Sequence, residues 1–540
     1  MRTVAIIPAC EGSVNLPNKN IRVIHGKPLI WYIIQTAISC KYIDEILVTT
    51  NSPDIVSIAR QMGVKTKLRD SGLCSKNVSL DAVIYDAIQE LNLMKDDYVI
   101  TMQSISPTLR VETLNKAIEL CKENNFDTMI SVVKKQYFSW VKEKNGVVAL
   151  YTKRTNRHQL TPFFIETGAF MITKSCFITS ETRIGDQVEL FELDGDEAID
   201  IDTFGDLKQA ENVLTRKKTA FYVNGNNTIG LGHISRVLQI ADELFTKPDI
   251  YFDSTKTDIS VFGVTTHNLR PVCGEVEFFQ TIAQEKYDVI INDILSTSDI
   301  YMEKLKEFAP ATKVINFEDE GTGAPYADCV INALYETGIH ENLYTGSSYY
   351  IVPKLFLLYN PIEIKETVTN VLVSFGGADP NNYTEQVLKI IEKSEFFKFH
   401  FYVVLGKAKQ NVDKLLEYNK YNHIDVLYDI SNMPDIMMQC DIAITSRGRT
   451  GFELAVLGIP SISIAQNERE ARHNFMSAQN GFSYLGLQPE LSMIEKEINK
   501  YINFTADERK QLQHKMLVND LRNGRENVLE LINTVTEKIM

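Results

Sequence analysis

The sequence contains no continuous apolar run long enough to cross a membrane, which requires roughly 18 residues. The apolar stretch near its start, residues 4–7, is also too short for a signal peptide. The eight cysteines are scattered, without a C-x-x-C pair or a Cys/His cluster, which argues against a zinc site or a disulfide framework. We therefore expect a cytoplasmic protein with reduced thiols and no membrane insertion.

Basic segments are also scarce, and the formal net charge is −14. A chain without a dense Lys/Arg block cannot neutralise a phosphate backbone, so we expect no nucleic-acid partner. The sequence has no internal repeat, heptad pattern or low-complexity tract, which excludes solenoids and long coiled coils. An apolar content of 44% over 540 residues is instead typical of a globular chain with several cores.

Short β-branched runs alternate with helical patterns along the chain, which predicts an α/β fold with mainly parallel sheets. The clearest runs are residues 4–7, 45–49, 98–102, 128–133, 219–223, 289–292, 314–317 and 371–375. A polar bridge at residues 215–218 and a proline-containing break at residues 359–362 divide this pattern. We expect one domain at residues 1–216, followed by two Rossmann-like lobes at residues 219–360 and 361–540.

The first predicted strand leads into a loop of small residues, IPACEGSVNLPNKNI at residues 7–21. Nucleotides bind at this edge of open α/β sheets. Gly12 and Ser13 would let backbone N–H groups approach phosphate oxygens, and Lys19 would stabilise charge on a leaving phosphate. An ordinary surface turn explains the same composition, since the loop is neither a Walker A motif nor a GxGxxG.

Two aspartates late in the first domain, Asp200 and Asp202, alternate in what we interpret as a strand. Both carboxylates would then point to one face and hold Mg²⁺ against phosphate oxygens. A solvated strand end is the alternative interpretation.

The opening loop resembles the motif IPARxGSKxxPxKN of the acylneuraminate cytidylyltransferases. Further segments follow in that family's order: GKPLI at residues 26–30, TTNS at 49–52, QSISPTLR at 103–110, DIDT at 200–203 and DLKQAE at 206–211. The resemblance covers residues 1–214 and implies a nucleotidyltransferase fold that joins CTP to a nonulosonic acid. It implies triphosphate contacts from Ser13 and Lys19, Mg²⁺ on the two aspartates, a sugar contact from Gln103, and a homo-oligomer formed through this domain.

Two positive charges of the family's loop are missing, because Cys10 stands where the motif has arginine and Val14 where it has lysine. Their loss weakens the expected triphosphate site. It leaves open an altered substrate, or a domain that binds without catalysing.

The strand at residues 219–223 is followed by GLGHISR at residues 230–236 and then by a helical pattern. Gly230 and Gly232 permit a tight turn, which places His233 near a helix N-terminus. A neutral imidazole is favoured there and can accept a proton near neutral pH. A capping or packing histidine is the alternative.

Two later loops, SFGGAD at residues 374–379 and RGRTGFELA at residues 447–455, also contain glycines. The loop around Thr450 can offer backbone N–H groups to a diphosphate, Glu453 would accept hydrogen bonds from ribose hydroxyls, and Gly376 and Gly377 permit another close-approach turn. A solvated glutamate at a helix start is the alternative. The arginines at positions 447 and 449 either pair with the diphosphate or indicate a different ligand.

These three loops resemble those of GT-B enzymes, specifically the UDP-sugar hydrolases of pseudaminic acid biosynthesis, over residues 219–480. The resemblance implies that His233 activates water at the anomeric carbon of a UDP-sugar, and that Asp293 and Asn467 contact the sugar. With the first domain, it implies a bifunctional enzyme of nonulosonic (sialic, pseudaminic or legionaminic) acid biosynthesis. The alternative is a GT-B glycosyltransferase whose first domain supplies its donor or does not catalyse.

Overall fold

The computed structural model describes residues 1–11, 15–75, 77–144, 146–226, 231–335, 340–430 and 432–537. The chain divides into two compact units, Met1–Arg216 and Lys217–Met540. Both units are α/β, as the sequence predicted. Within the described ranges, no helix combines the length and apolarity that a membrane span requires.

The first unit is built on a mixed sheet that has seven strands among its described residues. The strands of this unit are β1 Thr3–Pro8, β2 Val23–Ile24, β3 Lys27–Pro28, β4 Glu45–Thr50, β5 Lys65–Leu68, β6 Tyr98–Thr101, β7 Thr128–Lys135, β8 Trp140–Glu143, β9 Gly146–Ala149, β10 Phe163–Lys174 and β11 Val188–Glu192. Its helices are α1 Leu29–Ser39, α2 Pro53–Gln61, α3 Leu80–Ile88, α4 Val111–Glu123 and α5 Phe204–Leu214.

The sheet of the first unit has the order β11-β7-β10-β6-β1-β4-β5, with β10 antiparallel to both of its neighbours. Strand β1 is central, and all six of its residues are buried, which suits a parallel strand covered on both faces. The loop that follows β1 therefore leaves the carboxyl edge of the sheet, where nucleotide sites form.

The second unit contains two parallel sheets, each in its own lobe. The first lobe has strands β12 Thr219–Val223, β13 Asp249–Asp253, β14 Asn268–Val272, β15 Val289–Asp293, β16 Lys313–Phe317, β17 Cys329–Asn332 and β18 Leu343–Thr345, with helices α6 Gly232–Ala241, α7 Gly274–Glu285 and α8 Asp299–Phe308. The second lobe has strands β19 Asn370–Ser374, β20 His400–Leu405, β21 Ile424–Tyr428, β22 Ile442–Ser446, β23 Ser461–Ala465 and β24 Phe482–Leu487. Its helices are α9 Tyr383–Ile391, α10 Val412–Leu416, α11 Met433–Met437, α12 Thr450–Leu457, α13 Glu468–Ala471, α14 Leu491–Ile502, α15 Ala506–Leu517 and α16 Gly524–Glu537.

The two lobes share one topology. Their sheets have the orders β14-β13-β12-β15-β16-β17-β18 and β21-β20-β19-β22-β23-β24, and strand order reverses between β12 and β15 and between β19 and β22. Ligands bind outside the carboxyl ends of the strands at such switch points. The second unit thus contains two Rossmann-like lobes in sequence, which is the two-lobed α/β fold that the sequence predicted.

The last helix, α16, packs on the first lobe although it follows the second in sequence. Val528 and Ile532 are buried in the same apolar cluster as Phe221 and Val237 of the first lobe. Arg525 strengthens this packing through a hydrogen bond of 2.8 Å to Glu243. The expected lobe of residues 361–540 therefore does not close on itself, because the apolar face of its last helix is covered by the other lobe.

Candidate active sites

In the first unit, Lys19 lies in a short 3₁₀ turn beyond the carboxyl end of β1. Its Nζ donates hydrogen bonds to the carbonyl of Ile201 at 2.9 Å and to Oδ1 of Asp202 at 3.0 Å. The lysine side chain is largely buried, whereas the Asp202 side chain is 65% exposed. The structure thus places the expected phosphate-binding lysine beside an expected metal ligand.

Asp200 lies deeper than Asp202 and is held by two donors. Ser106 Oγ donates to Oδ1 at 2.6 Å, and the backbone N–H of Gly168 donates to Oδ2 at 2.8 Å. Burial raises the pKa of the Asp200 carboxyl above its ordinary value, and the nearby Asp202 charge raises it further. The two hydrogen bonds lower this pKa but do not cancel the rise. The two carboxylates are therefore close enough to interact.

The strand predicted at Asp200 and Asp202 is wrong, because this segment is a connection between β11 and α5. Thr203 and Asp206 form a capping box that starts α5, and the Asp206 carboxylate accepts the backbone N–H of Asp202. The alternation itself is present, since Ile199 and Ile201 are buried while the aspartates face the other way. An extended backbone without strand pairing produces this pattern.

Of the remaining predictions for this unit, Gln103 lies near the same carboxylates, because Gly168 binds both Gln103 and Asp200 through its backbone. The backbone N–H of Gln103 donates to the carbonyl of Gly168 at 3.0 Å, and its side chain is half-buried. The Cys10 side chain is exposed. Gly12, Ser13 and Val14 lie outside the described residues.

The donor set of the first unit suits a hard divalent cation. Two carboxylates with mutual repulsion, one of them exposed, are typical ligands for a cation that keeps waters and phosphate oxygens in its shell. Among the described residues, no group of three His, Cys, Asp or Glu side chains is arranged to hold a metal by itself.

In the second unit, His233 occupies the first turn of α6, directly after the switch-point strand β12. Its Nδ1 lies 2.5 Å from Oδ1 of Asp293, the last residue of β15. The histidine is 6% exposed and the aspartate 0% exposed. Gly230 lies outside the described residues, whereas Gly232 begins the helix.

A buried arginine completes this pair. Arg236, one helical turn after His233, donates to Asp293 Oδ2 at 2.7 Å and Oδ1 at 2.6 Å. Burial alone would raise the pKa of Asp293, but the charge of Arg236 and the hydrogen bonds from His233 and Arg236 hold it below its ordinary value. Asp293 is therefore ionised and accepts the Nδ1–H of His233, which leaves Nε2 of the ring as a proton acceptor.

Glu318 holds the far side of Arg236. Its carboxylate accepts a hydrogen bond from that guanidinium, and its second oxygen lies 3.8 Å from Arg449 of the second lobe. The positive charges around it outweigh burial and hold the pKa of Glu318 well below its ordinary value. Its backbone φ of 50° is left-handed, a conformation that a non-glycine residue adopts at a cost of about 1 to 3 kcal/mol.

In the second lobe, the turn after β19 contains Gly376, with a φ of 76°, and Gly377. Gly406 lies against this turn, and a Cβ there would be 2.5 Å from the Gly376 carbonyl oxygen. Asp379 then accepts two backbone N–H groups at the start of α9 and a 2.8 Å hydrogen bond from the buried Lys409. Close backbone packing and a buried ion pair fix the shape of the turn.

The loop after β22 ends at Thr450, the first residue of α12, and Glu453 follows within the first turn. Burial raises the pKa of Glu453 to about 7, against the opposing charge of Arg449. The arginine at position 447 is buried and stacks on Tyr484 with its guanidinium carbon 3.6 Å from the ring centre. The two arginines of the loop thus have different surroundings, and each already contacts protein groups.

The two expected sugar contacts of the second unit, Asp293 and Asn467, differ in their exposure to solvent. The Asp293 carboxylate is fully buried behind His233, so direct contact with a sugar is contradicted by its geometry. Asn467 is exposed and caps α13 by accepting the backbone N–H of Glu470 at 2.9 Å. Arg236 and Glu318 had not been singled out from the sequence, although Arg236 stands three residues after the histidine in the GLGHISR motif.

Comparison with known proteins gives the first unit a family. The cytidylyltransferase family model matches residues 4–227, which spans the whole sheet just described. The first unit is a cytidylyltransferase domain. A pseudaminic acid cytidylyltransferase of Campylobacter jejuni is 28% identical to this domain over 221 residues, covering 39% of the chain and 95% of that protein.

Other relatives extend beyond the cytidylyltransferase domain. A Helicobacter pylori protein, named pseudaminic acid cytidylyltransferase and UDP-2,4-diacetamido-2,4,6-trideoxy-beta-L-altropyranose hydrolase, is 25% identical over 495 residues, covering 87% of this chain and 89% of that protein. An uncharacterised protein of Methanocaldococcus jannaschii is 32% identical over 277 residues, which are 46% of this chain and 56% of that protein. This chain thus spans about half the length of one relative and nearly all of the other.

Proposed function

We propose that the chain is a bifunctional enzyme of nonulosonic acid biosynthesis. Its first unit joins CTP to a nonulosonic acid, and its second unit hydrolyses a UDP-sugar to free the hexose. The similarity to the Helicobacter pylori protein supports this proposal because it extends through both units. Both substrates are nucleotides of the cytoplasm, where we place the protein.

The His233–Asp293 pair carries the hydrolase proposal. Asp293 holds Nδ1, so Nε2 accepts a proton from water as the water oxygen attacks the anomeric carbon. The bond between that carbon and the diphosphate oxygen breaks, and UDP leaves with the electron pair. In this mechanism Asp293 orients the base and does not touch the sugar.

UDP is held by the second lobe in this proposal. The Gly376–Gly377 turn and the backbone at Gly232 and Thr450 receive the diphosphate at the switch points, where N–H groups of helix starts converge. Glu453 accepts hydrogen bonds from the ribose. We assign Asn467, which lies at the carboxyl side of β23, as a sugar contact.

In the first unit, the anomeric hydroxyl of the nonulosonic acid attacks the α-phosphate of CTP, and pyrophosphate leaves. Lys19 and the backbone of Gly12 and Ser13 bind the triphosphate, and Gln103 contacts the sugar. We propose Asp200 and Asp202 as the ligands of Mg²⁺, which when bound neutralises charge on the phosphates. Lys19 then exchanges its hydrogen bond with Asp202 for one with the triphosphate.

We also propose that the protein forms a homo-oligomer through the cytidylyltransferase domain. The β8–β9 hairpin of that domain exposes large apolar side chains on both strands, and Trp140 and Val147 are 56% and 62% exposed. Exposed apolar clusters of this kind mark protein contacts. Mass determination in solution, with Trp140→Asp as the disrupting variant, tests this point.

Two parallel assays test the proposed function on the full chain. With Mg²⁺, CTP and a panel of sialic, legionaminic and pseudaminic acids, we expect pyrophosphate release. With a UDP-diacetamido-trideoxyhexose in water alone, we expect UDP release that is lost in His233→Ala. UDP release that requires a carbohydrate acceptor would identify a glycosyltransferase instead, and absence of pyrophosphate release with every acid would make the first unit a binding module.

A further inference from the structure

Arg449 reaches from the loop before α12 to the first lobe, where it makes three contacts. Its guanidinium donates a hydrogen bond to the carbonyl of Gly232 and lies 3.8 Å from Glu318 Oε2. It also packs flat on Gly232, since a Cβ at that position would be 2.5 Å from the guanidinium carbon. Only a glycine at position 232 leaves room for this contact.

Both polar contacts lead to His233 by separate routes. Gly232 precedes the histidine in the chain, so its carbonyl fixes the backbone at the start of α6. Glu318 binds Arg236, which in turn holds Asp293, the partner of the histidine ring. Arg449 therefore acts on the backbone and on the side chain of the same residue.

The backbone of Arg449 is anchored as well. Tyr350, which lies in the connection between the lobes and packs in the apolar core of the second lobe, donates its hydroxyl to the Arg449 carbonyl at 3.4 Å, and its ring stacks on Phe452 of α12 at 3.9 Å between ring centres. The ionisable groups that face the guanidinium are Glu318, Tyr350 and Glu453, with Arg236 behind Glu318. An arginine suits this position because its fork of donors serves a carbonyl and a carboxylate at once.

We propose that Arg449 is a positioning residue that couples the nucleotide loop of the second lobe to the His233–Asp293 pair. The proposal rests on the function proposed for the second unit. Arg449 directly precedes the Thr450 backbone that receives the diphosphate, so movement of this loop on nucleotide binding is transmitted to the histidine. UDP-sugar binding and activation of water then become linked events.

The test compares Arg449→Gln and Arg449→Lys with a matched control, Arg472→Gln. Arg472 also crosses between the lobes, but its hydrogen bonds of 3.1 and 3.0 Å go to Glu320 and not to Gly232 or Glu318. For Arg449→Gln we expect kcat for UDP release to fall at least about 10-fold, with partial recovery in Arg449→Lys and wild-type kcat in the control.

The acidic limb of the pH–rate profile gives a second readout. Without Arg449, Glu318 is less neutralised, and its negative charge favours the protonated imidazole. The acidic limb should therefore move to higher pH in Arg449→Gln. Gly232→Ala, whose Cβ displaces the guanidinium, should give the same direction of change.

Two results would overturn the coupling. One is a higher KM for Arg449→Gln with unchanged kcat and unchanged pH limb, which would make Arg449 a nucleotide contact alone. The other is an equal shift in Arg472→Gln, which would reflect loosening of the lobes in general. His233→Ala separates this inference from the proposed function. UDP release that survives in His233→Ala would contradict the proposed role of His233 in hydrolysis. Loss of UDP release in His233→Ala would support that role whatever the Arg449 variants show.

Discussion

Lys19 Nζ donates a 3.0 Å hydrogen bond to Oδ1 of Asp202, so a proposed phosphate ligand and a proposed metal ligand neutralise one another in the cytidylyltransferase domain. Asp200, behind them, carries a pKa raised by burial and by the Asp202 charge. A divalent cation bound with a triphosphate would relieve that repulsion and release Lys19. We therefore predict a first reaction that depends on metal and a second reaction that does not.

We expect Asp202→Asn to lower the rate of pyrophosphate release by at least about 10²-fold and to raise the Mg²⁺ concentration needed for half-maximal rate. EDTA should abolish pyrophosphate release but leave UDP release unchanged. Asp194→Asn, at a carboxylate that is 64% exposed, is the control and should behave as wild type. An unchanged Mg²⁺ requirement in Asp202→Asn would remove this residue from the metal site.

Asp293→Asn should lower kcat for UDP release by about 10²- to 10⁴-fold, because the amide no longer fixes the His233 tautomer. The change also removes one of the two carboxylates that neutralise the buried Arg236, at a cost of up to about 3 to 5 kcal/mol in the free energy of unfolding, although Glu318 still binds the guanidinium. Thermal unfolding of the variant should therefore be measured beside its kinetics. Asp299→Asn, at an exposed position in α8, is the control, and a loss of stability with full activity in Asp293→Asn would contradict the orienting role.

Glu453 should stabilise the second unit at low pH, and this contribution should be lost as pH rises from about 4 to about 7. Its folded pKa of about 7 lies above the unfolded value, so the folded state binds more protons than the unfolded state throughout this range. The stabilising contribution is complete below the unfolded pKa and is lost by about pH 7. Glu453→Gln removes this component, so thermal unfolding should show a smaller decrease between pH 5 and pH 8 in the variant. An identical decrease in both proteins would contradict the raised pKa.

Gly406→Ala should destabilise the second lobe by about 1 to 3 kcal/mol, since the new Cβ would lie 2.5 Å from both the Gly376 oxygen and the Gly377 Cα. The affinity for UDP should also fall, because the new Cβ displaces the Gly376–Gly377 turn. Gly377→Ala is the control for stability, as no heavy atom lies within 4 Å of a Cβ there. Calorimetric unfolding and UDP titration of both variants measure the two effects.

The strands, and the order of the loops that carry functional residues, could be predicted from the sequence because both depend on local patterns. The run at residues 219–223 forms β12, and the glycines after it precede a helix that begins at Gly232. Thr203 and Asp206 also carried a readable signal, since a capping box marks a helix start and argues against a strand at Asp200 and Asp202.

The partners of His233 could not be predicted in the same way. Asp293 lies 60 positions from His233 and Glu318 lies 82 positions from Arg236, so only the parallel pairing of β12, β15 and β16 brings them together. Nothing in local sequence distinguishes an aspartate that orients a histidine from one that contacts a sugar. The Arg449 contact depends further on the approach of two separate lobes.

The central claim is that one chain carries two independent reactions, and a cross-assay of two variants tests it most directly. Pyrophosphate release from CTP with a nonulosonic acid and UDP release from a UDP-diacetamido-trideoxyhexose are measured for wild type, Asp202→Ala and His233→Ala. We predict that Asp202→Ala loses only the first activity and His233→Ala only the second. Retention of both activities in both variants, or absence of either activity from the wild-type protein, would contradict the account.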